Sequence, residues 1–296
     1  MTSETAPAVR EESAAPAAGR RFLAALRHLF DRPLTALGTS IFLLFLILAL
    51  IGPYIAPYGF NEQIYSDARQ APSLTHPFGT DHLGRDVFSR VIYGARDVLS
   101  QAGLGTMLAI VSGTIFGLVT GYYGGWLDEI IMRFFDSLLA LPALLLALLL
   151  LGTVGQARNS VLIVIVVVYT PIVARVARSV VLSVRTKGFV QAARLQGESL
   201  PRILFREILP SVTPALTVEG ALRFSYAIFL VASLGFLGVG VQPPSPNWGL
   251  MVSEARTYAT QTPWALFFPA AAIAILVIGV NLMADGIKHI LQTGDA

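Results

Sequence analysis

The chain has 296 residues, of which 54% are hydrophobic and 13% charged, with a mean hydropathy of +0.67 and a net charge of +3. This composition lies outside the range of soluble domains and places the chain in a bilayer. The absence of cysteine excludes disulfides, Cys-based zinc sites and thiol catalysis, and leaves the redox compartment open.

Residues 1–19 are rich in Ala, Pro, Glu and Ser with no apolar period, which predicts a disordered tail, basic up to residue 33. The first apolar run starts near Leu34, behind Arg20, Arg21, Arg27 and Arg32, and is long enough to span, so it reads as a retained anchor and not a cleaved signal. From there to residue 291 a single membrane domain is predicted, with spans at about 36–57, 98–122, 129–152, 159–181, 211–239 and 265–287. Continuous Leu/Ile/Val/Ala runs without strict alternation select helices over a closed barrel, giving an all-α integral membrane protein with six transmembrane helices. No internal repeat or second domain is visible. The short connections at 123–128 and 153–158 imply antiparallel neighbours.

The placement of Lys and Arg predicts an N-in/C-in orientation. The cytoplasmic side then holds the tail arginines, the cluster Arg175, Arg178, Arg185, Lys187, Arg194, Arg202 and Arg206, and Lys288. Residues 58–97 and 240–264 face outward, with Arg69, Arg85, Arg90, Arg96, Arg158 and Arg256. In the outer segment after the first span, His76, Asp81, His82 and Asp86 suggest a metal site, but the interleaved Pro77, Gly79 and Gly84 fit turns in which Asp and His cap short helices, and that reading is preferred. In the second span Gly103, Gly105, Gly113, Gly117 and Gly121 permit close helix packing. The third span opens with Asp128, Glu129, Arg133 and Asp136, expected near the cytoplasmic interface without deep burial, and Pro142 predicts a kink within it.

Between the fourth and fifth spans lies a polar, basic cytoplasmic loop, 183–210. Phe189, Ala192 and Ala193 share one helical face; Gly197 weakens the helix; Ser199 and Pro201 suit the start of a second one. On the second helix Leu200, Ile203, Leu204 and Ile208 form an apolar stripe, and Pro210 sets the start of the next membrane segment. Taken alone this helix-bend-helix is either a loop whose arginines hold topology or an element that docks into a soluble partner. In the fifth span Glu219 and Arg223 stand at i, i+4, placed to neutralise each other; the alternative is contact with a charged solute along a pathway. The outer stretch "VQPPSPNWG" reads most simply as a rigid loop with Trp248 at the membrane interface, a lid over the pathway being the alternative.

Ala192, Ala193, Gly197, Leu209 and Pro210 resemble the EAA loop of ABC-importer membrane subunits, with Gln191 where that loop usually has Glu and Glu207 where Ile is common. "HPFGTDHLGRDVFSRVIYGAR" (76–96), "LGFLGVGVQPPSPNWGLMV" (234–252) and "NLMADGIKHIL" (281–291) are similar to segments of the dipeptide/oligopeptide/nickel permease group, specifically its C-type subunit, an inner-membrane component of binding-protein-dependent import systems. The resemblance runs from about residue 25 to 291. It departs at Val231, where members often carry Glu.

The resemblance implies a permease subunit forming half of a solute pathway, with a homologous second permease, two ABC ATPases and an extracytoplasmic solute-binding protein as partners, in a bacterial or archaeal cytoplasmic membrane. It makes the loop the ATPase coupling element, carried by Gln191, Ala192, Ala193, Gly197, Glu198, Arg202, Leu209 and Pro210. It implies di- or oligopeptides as solute, with nickel, glutathione and modified sugars carried by near relatives. The only lysines, Lys187 and Lys288, do not stand in a Gly-Lys-Ser/Thr phosphate loop, so no cofactor is expected on this chain, and ATP and Mg are expected on the partner ATPases. The chain is expected not to be an enzyme: its spans hold no paired catalytic carboxylates and no His cluster. An ion-driven secondary transporter is the rival from another class, and it predicts an inverted repeat or a midplane acidic network. No nucleic-acid partner is expected.

Overall fold

The computed structural model describes residues 29–155 and 158–293, so the predicted disordered tail lies outside the described residues. The described chain is built of helices: α1 (Pro33–Ile55), α2 (Val87–Tyr123), α3 (Gly125–Leu139), α4 (Ala143–Val154), α5 (Arg158–Val184), α6 (Gly188–Leu195), α7 (Leu200–Phe236), α8 (Trp248–Ala255) and α9 (Pro263–Thr293). Helices α1, α2, α5, α7 and α9 are each long and apolar enough to cross a bilayer.

The predicted third span is not one kinked helix. It breaks at residues 140–142 into α3 and α4, bent by 96°. Pro142 has no N–H to continue the ladder, and it holds its own backbone extended as the N-cap of α4. Together α3 and α4 still return the chain across the membrane. Gly105, Gly113, Gly117 and Gly121 of α2 face Ile165, Val173, Ala177 and Val181 of α5, a constant register that makes α2 and α5 parallel. The C-terminal end of α2 therefore lies far from the N-terminal end of α5, and only a crossing by α3–α4 can join them.

That seam is close because it lacks side chains on one face. A Cβ at Gly113 would lie 2.6 Å from Val173 Cβ, and one at Gly117 2.5 Å from Ala177 Cβ and 2.6 Å from the Ala174 carbonyl. Gly103 does not belong to it: the nearest atom to an added Cβ there is on Phe224, 3.8 Å away.

Helices α1 and α9 run antiparallel, with Gly38 on Leu282 and Gly286 on Thr35. The start of α1 and the end of α9 are joined by Arg32 and His289, whose side-chain nitrogens approach to 2.6 Å. Both ends of the helical domain thus emerge on one side, as the N-in/C-in reading requires. Gly52 packs on Ile92, and Phe42 and Gly103 both meet Phe224, so α1 is antiparallel to α2. On this register Pro33 is level with about residue 112 of α2, and α2 continues roughly 17 Å further at 1.5 Å per residue. The ends of α2 and α5 and the first turns of α7 form a cytoplasmic projection with its own apolar core, which includes Leu118, Val181, Val190, Ala193, Ile203 and Ile208.

On the opposite side, residues 56–86 and 237–262 fold over the helix ends as a cap. Trp248 is fully buried there, its indole N–H donating to the Val91 carbonyl at 2.9 Å, so it is a core residue and not an interfacial anchor. The space for its ring comes from Gly94, against which it packs.

Candidate functional site

The cytoplasmic loop has the predicted helix-bend-helix form, built around Gly197. Gly197 adopts φ +73°, its N–H donates to the Arg194 carbonyl at 3.0 Å, and the Glu198 N–H donates to the Ala193 carbonyl at 3.1 Å. This is a Schellman cap, and its left-handed residue is one that glycine adopts without cost. A Cβ at Gly197 would meet nothing within 4 Å, so the requirement for glycine is purely conformational.

The faces of the two helices differ from the predicted ones. Ala193 is buried with Val190, while Ala192 and Phe189 are exposed, so the supposed shared face is split between core and surface. Ile203, Leu204 and Ile208 point inward, with Leu200 packed beside them. The stripe bolts the loop to the projection and is not free for a partner. What faces solvent is Phe189, Gln191, Ala192, Leu195 (89% exposed), Arg202, Phe205 and Arg206. The second helix does not stop at Pro210 either. It passes through a π turn at Ile203–Ile208 and runs on as the fifth span, the wider turn accommodating a proline ring that would crowd the carbonyl four residues back. Ser199 stands at the N-cap, but its side chain makes no capping bond.

Gln191 donates from Nε2 to the Thr186 carbonyl at 3.1 Å, a bond that a glutamate could not donate. Glu198 is partly buried, with Arg202 at 3.9 Å. The neighbouring arginines are structural. Arg178 holds Asp128 through two 2.5 Å bonds, Arg175 reaches Asp136 at 2.5 Å, Arg185 Nη1 donates to the Gly121 carbonyl at 2.9 Å, and Arg194 lies 4.4 Å above the Tyr122 ring. Asp128 is buried, although a place near the interface does not require it. Its partner stands 50 residues away in sequence, a separation no helical spacing rule reaches. Glu129 and Arg133 form the expected i, i+4 pair, at 2.6 Å.

In α7, Glu219 and Arg223 make the predicted contact, Oε1 to Nε at 2.7 Å. The Arg223 guanidinium also sits 4.9 Å from the Tyr226 ring centre and 5.8 Å from that of Tyr169. Val231 is buried in the core, so a pathway-facing role is not available to it in this chain.

Residues 113–294 match the family described as "binding-protein-dependent transport system inner membrane component", and residues 22–72 match the "N-terminal TM domain of oligopeptide transport permease C". The chain belongs to this permease family. It is 39% identical over 268 residues to a dipeptide transport system permease protein DppC of Alkalihalophilus pseudofirmus, covering 90% of this chain and 88% of the relative. It is 38% identical over 265 residues to a glutathione transport system permease protein GsiD of Escherichia coli O6:K15:H31, covering 89% and 88%. It is 37% identical over 264 residues to a di/tripeptide transport system permease protein DppC of Pseudomonas aeruginosa, covering 87% of each.

The permease is therefore a multi-pass, non-catalytic subunit of an inner-membrane ABC transport system that works with ATPase subunits and a binding protein. Its outer cap explains the segment with two histidines. Asp86 caps α2 by accepting from the Ser89 N–H at 2.7 Å and meets His76 Nδ1 at 2.9 Å. Asp81 accepts from the backbone N–H groups of Leu83 at 2.9 Å and Arg85 at 3.0 Å, closing a turn and not a helix, so of the predicted capping residues only Asp86 caps a helix. His82 stacks on Tyr258, and burial pushes its pKa below the usual imidazole value. Sequence reasoning missed the ionic centre of this cap. Arg85 binds Asp81 at 2.6 Å and Glu254 at 2.7 Å, and Arg90 lies 3.4 Å from the same Glu254. Nearby, Asp97 accepts from Gln101 at 2.8 Å and from Asn247 at 3.0 Å, while Asn247 caps α8.

Proposed function

We propose that this permease imports short peptides across a bacterial or archaeal cytoplasmic membrane. It forms half of the pathway beside a homologous permease, and one of two ATPases docks on its loop at 183–210. The observation that carries the docking is the loop's outward surface: exposed Phe189, Leu195 and Phe205 beside Arg202 and Arg206, on a scaffold whose inner face is bolted to the ends of α2 and α5. An apolar patch with basic neighbours suits insertion into a groove of a soluble partner. Because α7 continues from this loop into the membrane without a break in helix, displacement of the loop moves the fifth span as a lever.

ATP and Mg are held by the ATPases. Closure of the ATPase pair pushes the loop, and the two permeases switch the side on which the pathway opens, a rigid-body change with no bond chemistry on this chain. A binding protein delivers solute at the outer cap. The short-peptide reading is supported by the names of the relatives, which concern dipeptides, di/tripeptides and glutathione, itself a peptide. Gln191, Ala192, Ala193, Gly197, Glu198, Arg202, Leu209 and Pro210 remain the proposed coupling set, now with Ala193 and Leu209 acting from the inner side.

Gly197→Val tests the docking. A β-branched residue at φ +73° is strongly disfavoured, yet its Cβ clashes with nothing, so the variant is expected to fold and to lose the bend. Co-purification in nanodiscs should recover the ATPases with the parent and not with the variant. Equal recovery from both would remove the loop from the docking surface. Uptake of a labelled dipeptide by cells lacking and regaining the permease tests the solute; dependence of nickel uptake alone would replace the peptide reading.

A further inference from the structure

We propose that Arg223 reads the terminal carboxylate of the peptide as it passes the middle of the membrane. The inference rests on the short-peptide reading above. Phe224, next in sequence, meets Phe42 close to the midpoint of α1, which places the Glu219–Arg223 pair near the bilayer centre. Charges at that depth are costly and belong on a water-filled or protein-covered face.

The surface of α7 around Arg223 is more mixed than that of mid-α1, exposing Phe229 and, closer to the arginine, a tyrosine. α1 exposes Leu34, Leu37, Leu43, Leu44, Ile47 and Leu50, a face suited to acyl chains. Beside Arg223, α7 exposes Tyr226 at 52%, a phenol whose hydroxyl would lose its hydrogen bonds to water in lipid.

Arg223 itself is only half used. Glu219 meets it at Nε alone, and the rings of Tyr226 and Tyr169 hold the guanidinium in place by cation–π contact. Among the described residues no hydrogen bond satisfies the guanidinium: Glu219 Oε1 and Arg223 Nε, 2.7 Å apart, are themselves both without a hydrogen-bond partner, so the pair is a charge contact and not a hydrogen bond. The free edge presents parallel N–H donors, the geometry that matches a carboxylate. Glu219 offsets the charge between transport events and lets the carboxylate leave, because a site that held an anion too tightly would trap it.

The assembled transporter in proteoliposomes, with its binding protein saturated by either a dipeptide or that dipeptide's C-terminal amide, provides the test. The parent should carry the free acid roughly 10- to 100-fold faster than the amide, as expected for charge-assisted hydrogen bonds. Removing Arg223 alone would strand Glu219, so the decisive variant is the double E219Q/R223Q. It should assemble normally and lose the preference, whereas E219Q/R223K, which keeps the charge but not the fork, should retain only part of it. A preference that persists in E219Q/R223Q, or a parent with none, overturns the proposal. So does failure of E219Q/R223Q to assemble, which would make the pair a brace between helices or subunits. A parent that carries neither compound counts against the short-peptide reading itself and removes the ground for this one.

Discussion

Gly117→Val is expected to abolish the folded permease, whereas Gly103→Ala, on the same helix, leaves it intact. An added Cβ at Gly117 lies 2.5 Å from Ala177 Cβ and 2.6 Å from the Ala174 carbonyl. A backbone carbonyl cannot swing aside, so α2 and α5 must separate. Separation also opens the contacts at Gly113 and Gly121, which belong to the same rigid register. Overpacking of a well-filled core costs about 1–3 kcal/mol where side chains can adjust, and this seam has no such freedom. The loss extends beyond the bilayer, because the cytoplasmic ends of α2 and α5 share their apolar core with α6 and the first turns of α7. At Gly103 the nearest atom is 3.8 Å away, and alanine gains helix propensity of about 1 kcal/mol. Size-exclusion profiles and thermal midpoints in detergent decide the matter. Equal stability of the two variants would show that the seam is not close-packed.

Arg85→Ala is expected to unfold the outer cap. Arg85 is 2% exposed and lies between the carboxylates of Asp81 and Glu254. Deleting one partner of a buried ionic cluster leaves uncompensated charge and costs about 3–5 kcal/mol. Arg90 still faces Glu254, but Asp81 loses its only ion-pair partner among the described residues. Adding Asp81→Asn to Arg85→Ala should recover part of the loss, since the neutral amide oxygen can still accept from the Leu83 and Arg85 N–H groups. Protease sensitivity of residues 56–86 in sealed proteoliposomes reads the cap separately from the spans. A cap as resistant in Arg85→Ala as in the parent would show that packing alone holds it.

Much of the fold was legible because the bilayer imposes one-dimensional rules. Long apolar runs must be helical, and the side of each loop follows from arginine placement; both hold here, with the two ends of the helical domain together and the loop at 183–210 on their side. The bend at Gly197 was legible too, since a single glycine suffices to mark it. The loop's solvent-facing surface was not. Helical spacing put Ala192 and Ala193 together and marked the apolar stripe from Leu200 to Ile208, but spacing cannot say whether a face meets a partner or the chain's own core, and here Ala193 and the stripe meet the core.

The sequence by itself determined the class of protein, its six crossings, the position of the helix-bend-helix loop and the Glu219–Arg223 pair, because each depends on residues close together in the chain. Tertiary structure alone decided that Trp248 is core, that Asp128 belongs to Arg178, that Arg85 and Arg90 share Glu254, and that the third crossing is broken by 96° at Pro142. These are pairings of groups far apart in sequence, or a choice between a mild kink and a full break. What settles them is which buried polar groups find partners when the helices pack.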